Sequence, residues 1–306
     1  MTGRLVITGV DGFVGRHLAH AAADAGLDVF GIARAPISDA ALLPWLGGHA
    51  AVDLRSEWPR EAPLDEPIVH LAGLAAVGPS FDHPQRYISS NSAMVTKMCE
   101  ALLRAGTAPR VVVVSSGAVY APNDEDPLRA ETDPVAFTSP YVVSKVLVEN
   151  QVAYYRRRGL DIVVARPFNH IGPGQSSGFL VPDLLVRLKS LGDSDVLRVG
   201  NLATRRDYTD VRDVVRAYLS LASALTLDHD VYNVASGVSR SGEEILEMLC
   251  ACLAIATPRL ITEDEKIRAT DPAIIVGRAE RIAADVGWHP TIPFAQTIAD
   301  AVSASV

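Results

Sequence analysis

Apolar residues in this chain gather into short unbroken runs closed by glycine or polar turns, and between the runs they recur at helical spacing. Residues 4–8 (RLVIT) form the first run, the glycine-rich turn 9–15 follows, and residues 16–25 predict a helix ended by Gly26. Residues 28–33, 50–52, 68–73 and 110–116, the last with four consecutive valines, are further runs without alternation. Such runs mark parallel strands covered on both faces. Helical patterns at 84–105 and 139–157 separate them, and 161–165 reads as another strand. Strands and helices taking turns predict an α/β fold, a Rossmann-type doubly wound parallel sheet with helices on both faces. Beyond residue 168 the pattern changes. Helices are expected at 179–191, 211–224, 241–255, 278–287 and 294–302, with short strands at 196–199 and 231–234. These pieces predict a smaller C-terminal α/β lobe. The expected division is 1–168 for the dinucleotide-binding domain, with 207–236 returning to it, and 169–206 with 237–306 for a substrate-binding lobe. The polar, proline-rich stretch 121–137 reads as a flap, and no internal repeat is visible.

Composition narrows the function classes. At 306 residues and 48% hydrophobic content the chain can bury a substantial core. A net charge of -8 excludes a surface built for nucleic acid or anionic membrane, though a few converging arginines could still hold a small anion. Cys99, Cys250 and Cys252 are odd in number and form no Cys-x-x-Cys pair, which implies a reducing compartment, no disulfide framework and no metal site. With no basic-plus-apolar leader and no apolar run of spanning length, the expectation is a soluble cytoplasmic protein.

The glycine turn carries the first chemistry. Gly9 permits a tight turn, Gly12 lets the backbone approach a pyrophosphate, and Gly15 lets the helix pack closely on its strand, so the helix N-terminus faces phosphates. The end of the second strand reports on the cofactor. Ala33 stands where an acidic residue would hold the ribose hydroxyls of NAD, and Arg34 follows, an arrangement that favours the 2′-phosphate of NADP(H) over NAD(H). Asp53 and Leu54 are placed for the adenine edge, and Leu71, Ala72 and Gly73 end a strand in small residues that a cofactor can approach. Tyr141 and Lys145, four residues apart on a predicted helix, share one face, where an ammonium is expected to pull the phenol below its usual value of about 10. Ser116, delivered by the valine strand to the carboxyl edge of the sheet, would supply a second hydrogen bond to a substrate oxygen. His70 reads as a core histidine, and Asn91 as a side chain reaching either the strand bearing Ser116 or the surface.

Together, Gly9-x-x-Gly12-x-x-Gly15, Ser116-Gly-Ala-Val-Tyr120, Tyr141-x-x-x-Lys145, Arg166-Pro-Phe-Asn169 and Arg206-Asp-Tyr-Thr-Asp-Val211 resemble the extended short-chain dehydrogenase/reductases, in order and across essentially the whole chain. Residues 166–175, Gly178-Phe179 and 199–218 resemble the branch of GDP-6-deoxy-D-mannose reductases, which reduce the C4 ketone of GDP-4-keto-6-deoxymannose to GDP-rhamnose. The resemblance implies that Tyr141 is a general acid, Lys145 its partner at the nicotinamide ribose, and Ser116 the group that polarises the ketone. It implies a cofactor path along Gly9, Gly12, Phe13, Val14, Gly15, Arg34, Asp53, Leu54, Leu71, Ala72, Gly73 and Pro167. Asn169, Phe179, Arg206, Arg268 and Asp271 would meet a nucleotide-sugar substrate. Arg268-Ala-Thr-Asp271 departs from the family's Arg-Pro-x-Asp by lacking the proline. The family's 4,6-dehydratases carry an Asp-Glu pair where Gly117 and Ala118 stand here. Its GDP-fucose synthases place a cysteine at Ala118 and a histidine at Gly174, so the resemblance implies reduction without dehydration or epimerisation. His170 reads as a turn residue or substrate contact. A homodimer through a four-helix bundle of 84–105 and 139–157 is also implied. The alternatives are a dTDP-sugar ketoreductase, a UDP-sugar 4-epimerase and a non-catalytic nucleotide sensor.

Overall fold

The uninterrupted apolar runs become the strands of one large sheet. The structure is a computed structural model, described over residues 3–123, 125–191, 196–263 and 273–305. In chain order the first half comprises β1 (Arg4–Thr8), α1 (Phe13–Asp24), β2 (Asp28–Ala33), β3 (Gly48–Ala51), β4 (Ile68–His70), α2 (Gly78–Asp82), α3 (Pro84–Ala105), β5 (Val111–Val114), β6 (Leu128–Arg129), α4 (Pro140–Arg157) and β7 (Ile162–Pro167). The second half comprises β8 (Asn169–Ile171), α5 (Leu180–Lys189), β9 (Val196–Val199), β10 (Arg205–Asp210), α6 (Val211–Ser223), β11 (Val231–Val234), β12 (Ser239–Ser241), α7 (Gly242–Leu253), β13 (Arg259–Thr262), β14 (Ile274–Gly277), α8 (Glu280–Val286) and α9 (Phe294–Ser303).

Seven strands in the order β11-β7-β5-β4-β1-β2-β3 form the sheet, every neighbouring pair parallel. Strand order reverses between β1 and β4, which opens a crevice at their carboxyl ends where open α/β sheets bind ligands. Successive residues of a strand face opposite sides, so Val112 joins the core under α1 and α6, while Val111 and Val113 join the core under α3 and α4. The sheet is a Rossmann fold, as the runs predict.

The smaller lobe is less regular. β12, β10, β14 and β6 make a second sheet, β8 pairs with β10, and β9 pairs with β13. Its core gathers Leu184, Leu185, Leu197, Ile245, Leu249 and Ile298. α1 begins at Phe13 and not at residue 16, because Gly12 caps it directly out of the turn. The tail is divided. Ile282 of α8 and Trp288 bury in the core of the large sheet, where Trp288 Nε1 donates to Asp213 O at 2.9 Å. Those residues therefore leave the lobe to which 237–306 was expected to belong. No helix among the described residues is long and apolar enough to cross a membrane.

Candidate active site

α4 is set at its start by local chemistry. The Ser139 hydroxyl accepts from Val142 N at 3.2 Å and Pro140 takes the first helical position, so the helix begins where its first turn carries Tyr141. β5 runs alongside and ends in Ser115 and Ser116. The Ser116 hydroxyl accepts from Ala118 N at 3.1 Å, and its nearness to the Tyr141 phenol acts to lower that phenol. Lys145 Nζ donates to Val114 O at 2.8 Å and lies 5.9 Å from the centre of the Tyr141 ring. All three side chains thus meet at the carboxyl end of β5.

The electrostatics differ from the sequence expectation. Tyr141 is buried among Tyr87, Val119, Val142, Val146 and Phe168, and that desolvation pushes its phenol upward in spite of Ser116. Lysine does not win, because burial disfavours phenolate and the ammonium is directed to a carbonyl. Burial acts on Lys145 as well, lowering it to about 8, with Glu149 opposing the change. At neutral pH the corner therefore holds a protonated phenol, the state from which a general acid starts.

The glycine turn lies at the other end of the same crevice. Gly9 has φ +70°, and a Cβ there would lie 3.0 Å from Ala72 N. A Cβ on Gly15 would reach 2.2 Å from Gly9 O, so the helix can approach the turn this closely only with glycine at that position. α1 has no side-chain cap among the described residues and no acidic residue in its first turn, which leaves its N-terminal N–H groups for an anion. Leu71-Ala72-Gly73 forms the floor between the two ends. Thr8 Oγ1 accepts from Ala72 N at 3.1 Å, and a Cβ on Gly73 would lie 3.8 Å from Lys145 Nζ. This cradle fits a dinucleotide laid from the turn to the lysine. Phe13 and Val14 flank it, partly buried.

Other anticipated residues fall in varied places. Arg34 is exposed at the end of β2. The carboxylate of Asp53 is taken up by Arg55, through its backbone N at 3.0 Å and its Nε at 2.9 and 3.0 Å, which lowers Asp53 to about 2. Leu54 turns its side chain into the core. Pro167 is buried at the end of β7; Asn169 and Phe179 are exposed. Arg206 is partly buried, its Nη1 donating to Arg205 O at 2.8 Å. Arg268 and Asp271 lie outside the described residues. Asn91 is buried and bonds Leu74 N at 2.8 Å and Ser144 Oγ at 2.9 Å, not the strand bearing Ser116. His70 is a core histidine, its Nδ1 2.9 Å from Thr8 Oγ1, and burial lowers it to about 3. His170 stacks on Phe13 with ring centres 6.2 Å apart, drawing the 169–175 loop over the start of α1.

Three residues have no sequence signal. Phe168 lays its ring where a Cβ on Gly117 would come, 2.8 Å away. Arg240 lies opposite Arg206 across β10 and β12, its guanidinium 4.3 Å above the Phe294 ring. Glu149 pairs with Arg166 behind the catalytic corner. Among the described residues no cluster of His, Cys, Asp and Glu is arranged to hold a metal.

A glycine cradle opening onto a Ser-Tyr-Lys corner is the arrangement of a dinucleotide-dependent oxidoreductase. The chain belongs to the NAD dependent epimerase/dehydratase family, the extended short-chain dehydrogenase/reductases, whose family model matches residues 5–235. It is 32% identical to GDP-6-deoxy-D-mannose reductase of Pseudomonas aeruginosa, over 97% of this chain and 95% of that protein. The solved structure of RMD from Pseudomonas aeruginosa complexed with NADPH superposes with a TM-score of 0.83 at 30% identity, covering 98% of each chain. MoeE5 in complex with UDP-glucuronic acid and NAD gives 0.84 at 25% identity, covering 99% of each.

Proposed function

We propose that this protein is an NADPH-dependent reductase of the C4 ketone of a nucleotide-4-keto-6-deoxyhexose, with GDP-4-keto-6-deoxymannose as substrate and GDP-rhamnose as product. The observation that carries this reading is the corner itself: a protonated Tyr141 close to Ser116, beside a step at Gly117 whose side-chain space is filled by the Phe168 ring. An acid at position 117, which the dehydratases of this family use, has no room unless that ring moves. The corner can donate one proton and polarise one oxygen. It suits reduction.

A nicotinamide dinucleotide held along the glycine turn, Leu71-Ala72-Gly73 and Lys145 would supply the hydride that C4 accepts. Ser116 and Tyr141 hold the ketone oxygen between two hydroxyls, and Tyr141 gives it a proton, leaving an alcohol and a phenolate that Lys145 stabilises until a proton returns. The glycine turn and the first turn of α1 hold the cofactor pyrophosphate, and Arg34 meets the 2′-phosphate. Asn169, Phe179 and Arg206 face the nucleotide sugar, a role that the family resemblance alone extends to Arg268 and Asp271, which lie outside the described residues. We carry the assembly forward with this reading as a homodimer through α3 and α4; Leu147 and Tyr154 stand exposed on α4.

The test follows oxidation of NADPH and, separately, NADH with GDP-4-keto-6-deoxymannose and with dTDP-4-keto-6-deoxyglucose. The expected result is turnover with NADPH and the GDP sugar, falling by at least about a hundredfold in Tyr141→Phe. Turnover with the dTDP sugar alone would keep the mechanism and replace the substrate. Oxidation of neither cofactor by either sugar would overturn the reading.

A further inference from the structure

Glu149 stands one helical turn beyond Lys145, and the proposed chemistry makes no use of it. Its side chain is 12% exposed and pairs at 2.7 Å with Arg166, itself 7% exposed. The carboxylate accepts from Ser115 Oγ at 2.5 Å and from Arg166 Nε and Nη2 at 3.0 and 2.7 Å. Arg166 Nη1 donates to the Tyr120 hydroxyl at 2.9 Å, and that hydroxyl donates to Asn233 Oδ1 at 2.6 Å. One carboxylate therefore joins α4, β5 and β7 directly behind Ser116. A buried ion pair adds little net stability, since desolvation offsets most of the attraction. Its place in the fold asks for another role.

The groups around Lys145 narrow that role. On α4 they are Tyr141 and Glu149; β5 contributes the Val114 carbonyl; β4 contributes His70; α3 contributes Asn91 across Gly73, with Tyr87 beyond it near Tyr141. His70 is kept neutral by burial, and burial also raises the Tyr87 and Tyr141 phenols. Among the described residues, Glu149 is thus the charge that opposes the cost of burying the Lys145 ammonium.

We propose that Glu149 is the positioning residue of the corner: clamped by Ser115 and Arg166, it fixes β5 against α4 so that Ser116 stands beside Tyr141, and it sets a negative charge one helical turn behind the Lys145 ammonium. The proposal rests on the functional reading of Ser116, Tyr141 and Lys145, yet its test needs no turnover. The chain has four lysines, so protein labelled with 15N at lysine Nζ gives four signals, and Lys145→Arg identifies the one from Lys145. In the wild-type chain burial is expected to bring that signal's midpoint down to about 8. In Glu149→Gln its midpoint falls by about one pH unit or more, because the ammonium loses its counter-charge while Arg166 remains, and the other three signals hold still. Should the unpaired Arg166 prevent folding, the double variant Glu149→Gln/Arg166→Met leaves neither partner of the ion pair buried alone and shifts in the same direction. An unchanged or raised Lys145 midpoint in either folded variant overturns the proposal. A lowered midpoint supports it, and if that comes with no turnover on any sugar, the failure lies with the proposed reaction and not with Glu149.

Discussion

The two sides of the crevice are built on different terms. At the proposed catalytic corner the polar side chains turn to internal partners: Ser116 to Ala118 N, Lys145 to Val114 O, Glu149 to Ser115 and Arg166. On the outer rim, Arg34, Asn169 and Phe179 are exposed, and Arg206 leans on its own neighbour's carbonyl. The corner is rigid because its groups are buried and must satisfy one another. The rim is open to a ligand where Arg34, Asn169 and Phe179 are exposed. On the proposed reading, reaction type is therefore written into the packed side of the crevice, and choice of substrate and cofactor into the open side. Substitutions in the corner should cost both folding and rate, while those on the rim should cost affinity alone.

After the loss of the Tyr141 hydroxyl, the largest expected effect comes from adding a single methyl group to the corner. In Gly117→Ala the new Cβ would lie 2.8 to 2.9 Å from three atoms of the Phe168 ring, and that ring is also packed against Gly277. It has little room to yield. We expect a stability loss of roughly 1–3 kcal/mol by denaturant titration. We also expect kcat to fall by about tenfold or more, since Ser116 shifts with the strand end. A variant as stable and as fast as wild type would show that the corner is looser than its packing implies.

The next effect tests the rim at its cofactor end. Arg34→Ala removes an exposed cation that touches no core group, so the melting temperature should stay near that of wild type. The loss of one charge-assisted contact to a 2′-phosphate should raise KM for NADPH by about tenfold and leave KM for NADH where it was. Equal losses for the two cofactors would remove Arg34 from the choice between them and reopen the reading of NADP preference from Ala33-Arg34.

The same division explains what the sequence discloses. β1, β2 and β5 are legible because strands buried on both faces need unbroken apolar runs, and α3 is legible because helical periodicity, an opening Pro84 and a closing Gly106 agree. Tyr141 and Lys145 are legible as a pair because four residues on a helix is a local spacing. β10 is not legible, since Arg205-Arg206-Asp207-Tyr208-Thr209-Asp210 carries too much charge for a strand pattern. Its tertiary partners decide, with the Asp207 carboxylate accepting from Ser236, Gly237 and Gly277. Phe168 filling the space at Gly117, and Glu149 lying behind Lys145, depend on strands and helices distant in sequence meeting at one edge. The upward push on Tyr141 was missed for the same reason, because burial is a property of the packed corner and not of the Tyr-x-x-x-Lys spacing.

Arg240 gives the smallest effect and the finest test of the rim. Two arginines directly opposite on neighbouring strands repel, and β10 and β12 place Arg206 and Arg240 in that register in a protein of net charge -8. Stacking on Phe294 at 4.3 Å eases the cost for Arg240 but leaves its N–H edges able to donate. On the proposed reading, two adjacent guanidiniums would suit the diphosphate of the nucleotide sugar, with Arg206 as the inner contact and Arg240 as the outer. Arg240→Ala should therefore raise KM for the sugar nucleotide by about threefold, the scale of a partly exposed ion pair, with kcat unchanged. Raised salt should shrink the difference between variant and wild type, because screening removes what Arg240 adds. A fall in kcat matching the rise in KM would instead place Arg240 among the groups that hold the small lobe together, and the rim would then be as structural as the corner.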